Sequence, residues 1–352
     1  MSEPLVLAID GGNSKTDVAL VRADGTLCSF VRGPLSSPHH LGLEGALYVL
    51  VRLLDQALDE AGLPRTTRPV AEIGELLLAG VDFPEEEAKL LDLVAERGWA
   101  KRTIVGNDTF ALLRAGTERG WGVAVVCGAG INCLGVAPDG RHARFPALGP
   151  ITGDWGGGFD VGMAALSAAA RSEDGRGPLT TLEREVPAHF GLKTPLELAE
   201  AIHTKQIPMQ YVTQLAPIVL AEAADDPVCA GIVDRLAAEV VALATVALRR
   251  LELTDQPAEV ILGGGLLQAR NRRLLAGIET GLRELAPEIT VRVTASPPIV
   301  GAVLLGLDEL GAGPEAQERV RRELGDAVTR LRKAKAKAAK QVNVKRERSS
   351  NG

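Results

Sequence analysis

The sequence predicts an α/β protein built from two copies of one unit, with elements in the order βββαβαβα, the copies facing each other across a cleft. Three observations predict it. The stretch "LAIDGGNSKTDVALVRADG", from residue 7, alternates like a strand, breaks at glycines, alternates again and breaks at Asp-Gly. A second stretch, "CGAGINCLGVAPDG" from residue 127, repeats the grammar of "DGGNSKTDVALVRADG", which starts at residue 10, with two fewer residues. The second copy then runs through a long helical interval before its next strand, "EVILGGG". A duplication with so long a period belongs to a domain pair and not to a solenoid.

In the first copy, strands are predicted over 5–9, 17–22 and 26–31, the last two joined through Asp24-Gly25, a hairpin signal. A helix over 43–61 follows, with apolar residues three and four apart and Gly62 as its stop. Next come a strand at 76–78, a helix near 85–96 and a strand at 103–105, after which Asn107-Asp108 opens another helix. The second copy offers strands at 122–127 and 133–137, the hairpin signal Asp139-Gly140, a helical insertion over about 159–251, a strand and loop at 259–265, a strand at 289–293 and a closing helix at 299–310. The expected domains are therefore 1–120, 121–312 with that insertion, and a basic tail over 313–352 that passes from helix into disorder.

Composition excludes several classes. The 352 residues are 46% hydrophobic and 24% charged, an ordinary globular balance. Aromatic residues make up only 3%, so the core must be Leu, Val and Ala. The apolar run at 5–9 lacks the basic flank of a signal peptide, and the longest apolar stretch, 240–248, is far too short to span a bilayer. A cytoplasmic protein with no membrane partner is expected. Four cysteines, Cys28, Cys127, Cys133 and Cys229, are too scattered for a disulfide framework or a metal site and read as buried thiols. The net charge of −6 hides nine Lys/Arg against one acid, Glu347, over 330–348, leaving 30 basic and 44 acidic residues elsewhere. So acidic a body argues against nucleic acid as its partner.

Two equivalent glycine turns suggest two hands on one polyphosphate, since backbone N–H groups of such turns form anion-binding concavities and glycine allows close approach. The first turn holds Gly11, Gly12, Asn13, Ser14, Lys15 and Thr16, and the second Gly128, Ala129 and Gly130. Asp10, directly before the first, reads either as a turn aspartate or as a ligand of Mg²⁺ or its water. Lys15 reads equally as a phosphate donor or a solvated lysine. Asp108 lies where a strand ends and a helix begins, so it is either an N-cap or a general base for a hydroxyl. In "TGDWGGG", from residue 152, Asp154 suits a substrate hydroxyl, a metal or a capped loop. Gly263, Gly264 and Gly265 follow a strand without a Walker lysine, and such flat backbone suits a stacked adenine. His39-His40 in "LSSPHHLG" is either loop surface or a substrate-contacting loop.

Taken in order, the turn after Asp10, its echo at Gly128-Ala129-Gly130, "GND", "GDWGGG" and "ILGGG" resemble the BadF/BadG/BcrA/BcrD-type ATPase family, and within it the N-acetylglucosamine kinases of the actin, hexokinase and heat-shock-chaperone superfamily. The resemblance covers 5 to about 311. It implies two ribonuclease-H-like domains around ATP, Mg²⁺ and a sugar. By motif position Asp10 would organise Mg²⁺, the first two turns would hold phosphates, Gly263, Gly264 and Gly265 would flank adenosine, Asp108 would be the base on the sugar 6-hydroxyl, and Asn107 and Asp154 would contact sugar. This chain departs from the pattern at Ala129 and Ile131, where hydroxyls are usual, at Trp155, where Glu is common, and in the acetamido-sugar loop, which offers Ser37 and His39. A kinase of a hexosamine-type sugar is the leading expectation. The rivals are an ATPase activator of a 2-hydroxyacyl-CoA dehydratase, which needs paired cysteines on an iron–sulfur cluster, and a non-catalytic sugar-binding regulator. The sequence fixes no oligomeric state, and a homodimer stays open.

Overall fold

A computed structural model describes residues 5–350. The first three strands are β1 (Leu5–Gly11), β2 (Thr16–Arg22) and β3 (Leu27–Gly33), followed by α1 (Pro38–Glu60), β4 (Ala71–Leu78), α2 (Pro84–Ala95), β5 (Ala100–Gly106) and α3 (Thr109–Gly116). The second set opens with β6 (Gly122–Cys127), β7 (Ile131–Val136) and β8 (His142–Arg144). Five helices come next: α4 (Gly157–Glu173), α5 (Leu182–His189), α6 (Pro195–His203), α7 (Ala216–Glu222) and α8 (Pro227–Arg250). The chain closes with β9 (Glu259–Gly263), α9 (Gly265–Gln268), α10 (Arg272–Leu285), β10 (Thr290–Val293), α11 (Pro298–Glu309) and α12 (Pro314–Ser350).

The strands form two five-stranded sheets, ordered β3-β2-β1-β4-β5 and β10-β9-β6-β7-β8. The duplication is therefore one of topology: β6, β7, β8, β9 and β10 occupy the places of β1, β2, β3, β4 and β5. In both sheets the first three strands are antiparallel neighbours and the last two join in parallel. Observed strands outrun the expected ones, β4 reaching back to Ala71 and β5 to Ala100. The helix expected from residue 43 is found, and Gly42 breaks α1 just before it with φ of +69°.

The chain divides into two compact units, Leu112–Ala295 and the residues on either side of it. The expected division at residue 120, with 299–310 closing the second domain, is not the one observed. Helix α11 belongs to the first unit, where Ile299, Val303 and Leu307 pack against Val6, Ala8 and Leu77. The pleat explains it. Leu7 and Ile9 point to the α1 side of the sheet, while Val6 and Ala8 point the other way and need a cover of their own. Gly306 lets α11 lie flat there, since a Cβ would stand 2.5 Å from a Val6 methyl. Helix α12 extends the cover with Ala316, Val320, Leu324 and Val328. The tail expected to fade into disorder continues this helix to Ser350, in keeping with its content of strong helix formers.

Glu75 is anomalous in this core. It lies inside β4 at 2% exposure, facing Gly306. Burial, with Glu309 nearby, pushes its carboxyl up to about 8, although Arg102 pulls the other way. An acid whose folded-state value is raised contributes full stability below its unfolded value, and that contribution is lost as pH rises toward the folded one. Glu75→Gln should therefore match the parent near pH 4 and exceed it at pH 7 by on the order of 1 to 3 kcal/mol, read by chemical denaturation. Removing residues 333–352 should shift the melting temperature by no more than a few degrees, because among the described residues the last buried one of α12 is Val328. A larger loss in a thermal melt would show that the tail docks.

Candidate active site

In the first unit, antiparallel register sets Asp10 opposite Asp17 and Asp17 opposite Arg32, a charged row across β1, β2 and β3. Asp17 is fully buried and held at 2.7 Å by both the Arg32 guanidinium and Lys15 Nζ. Lys15 also stands 3.4 Å from Asp10 Oδ2. It is therefore neither purely solvated nor free to follow a phosphate. Burial raises the Asp10 carboxyl above the usual range, Lys15 opposes that, and Asp17 adds to it. Sequence inspection passed over Asp17 and Arg32; counting register back from each turn would have found them.

The turn between β1 and β2 ties back three of its carbonyls. Gly11 O accepts from the Ala79 amide at 2.7 Å, Gly12 O from the Ser36 amide at 3.3 Å, and Lys15 O from the Gly12 amide at 2.8 Å. Asn13 and Ser14 form the exposed tip. Thr16, expected to donate to phosphate, is buried and donates to Ser36 Oγ at 2.7 Å. Gly11 is required by packing, since a Cβ would meet Ser36 Oγ at 2.6 Å.

Three further segments converge beside Asp10. Asn107 directly follows β5, Asp82 follows β4, and His39 opens α1. Asn107 Oδ1 accepts from the Thr109 amide at 3.0 Å and from its hydroxyl at 2.6 Å, and Asn107 Nδ2 donates to Asp82 Oδ1 at 2.7 Å. Asn107 thereby caps α3, the task weighed above for Asp108. It is buried and bonded within the protein, not presented to a sugar as expected. Asp108 stays partly exposed, and its carboxyl is pushed up to about 7 by burial first and by Asp10 and Asp82 next, against Lys15. His39 Nε2 lies 3.7 Å from Asp82 Oδ2. Ser37, also expected at the sugar, is fully buried against Gly80 with an unpartnered hydroxyl.

In the second unit the turn of Gly128, Ala129 and Gly130 packs on the start of α4. Gly128 O accepts from the Gly158 amide at 2.8 Å and Ala129 O from the Phe159 amide at 2.9 Å. With its carbonyls tied back, the turn leaves Ala129 and Gly130 exposed. Ile131 wedges under Gly156, and Trp155 turns toward α8, where the Arg235 guanidinium lies 4.0 Å from its ring centre. Asp160, in the first turn of α4, accepts from the Gly156 amide at 2.9 Å. Asp154 accepts from the Thr152 hydroxyl within the same loop. Gly264 crosses the Cys127 carbonyl with φ of +86°, Gly263 packs on Leu112, and Gly265 opens α9. Cys127 and Cys133 are both buried, and burial pushes the Cys127 thiol up to about 12.

Gly157 has φ of +74°, and a Cβ there would stand 2.4 Å from the Gly130 carbonyl. Gly157→Ala should cost roughly 1 to 3 kcal/mol, read by chemical denaturation. Gly128→Ala, where a Cβ would meet open space, should melt like the parent.

The chain matches proteins of known kind over most of its length. The BadF/BadG/BcrA/BcrD ATPase family model matches residues 7–306. An N-acetylmuramic acid/N-acetylglucosamine kinase of Clostridium acetobutylicum is 32% identical over 215 residues, 61% of this chain and 69% of that protein. An N-acetyl-D-glucosamine kinase of Dictyostelium discoideum is 26% identical over 321 residues, 88% of this chain and 99% of that one. A solved protein of Chromobacterium violaceum shares the fold with a TM-score of 0.67 at 24% identity, covering 87% of this chain and 99% of its own. A ROK family glucokinase of Streptomyces griseus, solved with glucose and AMPPNP, does so with a TM-score of 0.52 at 16% identity, covering 87% and 98%. The fold is thus that of actin-like sugar kinases, two mixed α/β units of ribonuclease-H-like topology. With its ordered glycine turns and a family model that matches residues 7–306, the chain belongs to the BadF/BadG/BcrA/BcrD ATPase family.

Proposed function

We infer that this protein is an ATP-dependent kinase that phosphorylates a hexosamine-type sugar, with Asp108 as the base. The observation that carries the reading is the division of labour at the start of α3. Asn107 caps the helix, so the Asp108 carboxylate is available for chemistry. The two curated relatives, both named as kinases of N-acetylated hexosamines, support the substrate class.

Asp108 would take the proton of the sugar 6-hydroxyl while that oxygen attacks the γ-phosphorus of ATP. The new O–P bond forms as the bond to the β–γ bridging oxygen breaks, and its electron pair leaves with ADP. The protein's part is positioning and charge placement. The exposed tips of the two glycine turns would hold phosphate oxygens through their amides, and Gly263, Gly264 and Gly265 would lie by the adenosine. Asp154 and His39 are the remaining candidates for sugar contact.

Asp10 suits Mg²⁺, because its buried carboxylate is under-compensated by Lys15. Among the described residues no group of three or more His, Cys, Asp or Glu could hold a metal. That suits a cation held by one carboxylate, water and the nucleotide's own phosphates. When bound, Mg²⁺ would neutralise phosphate charge. No helix among the described residues is long and apolar enough to cross a membrane, and we place the ATP-consuming reaction in the cytoplasm.

Asp108→Asn keeps shape but cannot take a proton. It should lower kcat for the sugar about 10² to 10⁴-fold with ATP and sugar affinities little changed. Near-parental turnover in a coupled ADP-release assay would remove Asp108 from the mechanism. The base must be ionised, so kcat/KM for the sugar should rise with pH through about 7 and level off above it. The charges of Asp10 and Asp82 raise the Asp108 carboxyl, which makes the observed value a property of the cluster.

A further inference from the structure

Asp82 belongs to none of the motifs above, yet it is bonded to the residue that fixes the base. It sits in the loop between β4 and α2 with 5% of its side chain exposed. Its position is over-determined. The Glu86 carboxylate, in the first turn of α2, accepts from the amides of Asp82 at 2.9 Å and Phe83 at 3.0 Å, so the backbone cannot swing. One Asp82 oxygen accepts from Asn107 Nδ2 at 2.7 Å and the other faces His39 Nε2 at 3.7 Å. Gly80, with φ of +80°, brings the loop against Ser37 and His39, where a Cβ would stand 2.8 Å from Ser37 Oγ and 3.0 Å from the His39 ring.

We propose that Asp82 is a positioning residue for the base: it anchors Asn107, which caps α3 and so aims Asp108, and it ties the His39 loop to that same turn. Four links are physical. Glu86 holds Asp82, Asp82 holds the Asn107 amide, Asn107 Oδ1 holds the Thr109 amide, and Thr109 directly follows Asp108. A side-chain amide that caps with its oxygen can still rotate unless its nitrogen is held as well. The charged acceptor at Asp82 supplies that hold with a bond of the stronger, charge-assisted kind. A buried carboxylate is costly unless bonded, so its presence beside Asp10 and Asp108 needs such a use. His39 opens α1 from the loop expected to touch the sugar, so a substrate that moves His39 would press on the residue that aims the base.

The inference rests on Asp108 being the base, and the experiment separates the two. Asp82→Ala, Asp82→Asn, Asn107→Ala and the Asp82→Ala/Asn107→Ala double variant are compared in the full chain. Turnover of hexosamines with ATP and amide hydrogen exchange at Thr109 are the two readouts. Asp82→Ala should lower kcat about 10- to 100-fold while leaving KM for ATP unchanged, the size expected for a displaced catalytic group. Asp82→Asn keeps an acceptor for Asn107 and should recover most of the loss. Because Asp82 acts through Asn107, the double variant should be no slower than Asn107→Ala alone. Exchange at Thr109 should quicken in Asp82→Ala and not in Asp82→Asn. Effects that multiply in the double variant, or parental kcat in Asp82→Ala, would overturn the proposal. If the parent phosphorylates no hexosamine, the kinase reading fails, and Thr109 exchange still decides for or against Asp82. Should Asp82→Ala not fold, Asp82→Ser, too short to reach Asn107, takes its place with the same outcomes.

Discussion

A backbone that is to hold phosphate must turn its carbonyls away, because each carries the wrong end of the peptide dipole. Both glycine turns of this protein meet that demand by hydrogen bonding. The first turn is closed by the amides of Ala79 and Ser36, the second by the amides of Gly158 and Phe159. The closure draws whole segments together: β4 and the loop after β3 in one unit, the start of α4 in the other. Glycine is needed where those segments meet. At Gly11 a Cβ would meet a serine hydroxyl, and at Gly157 it would meet the Gly130 carbonyl. The spacing of the surrounding helices and strands follows from these approaches.

Charge is the second organising demand. The first unit carries Asp10, Asp17, Asp82 and Asp108 close together, with Lys15, Arg32 and His39 to answer them. Asp17 is answered fully, by a fork from Arg32 and a contact from Lys15. Asp10 is answered in part and Asp108 least, and burial raises both carboxyls. Such an imbalance disfavours the empty, fully ionised site. The roles proposed above, a cation at Asp10 and a proton taken by Asp108, would relieve it.

The departures from the family pattern have local explanations. Ile131 is a wedge beneath Gly156, so apolar packing replaces a hydroxyl while the turn keeps its backbone donors. Trp155 leaves the phosphate side for a cation–π contact with Arg235, and Asp160 supplies the first-turn carboxylate that orders the loop.

The sequence by itself determined the strands of both hairpins, the helix from residue 43, the duplication and the places of Asp10, Asp108 and the glycine turns. Each of these is local: alternation, Asp-Gly turns and glycine runs act within a few residues. It could not decide which sheet α11 covers, because the apolar face of a helix names no partner; the exposed second face of β1 made that choice. Nor could it decide between Asn107 and Asp108 as the cap, since both residue types serve equally well at a helix start. The tertiary structure decided it by placing Asp82, distant in sequence, within reach of the Asn107 amide. Asp17 and Arg32 stayed unnoticed for the same reason, as ordinary strand residues whose meaning lies in the neighbouring strand. Local propensity fixes elements, while pairing of charges and of apolar faces is settled only when distant segments meet.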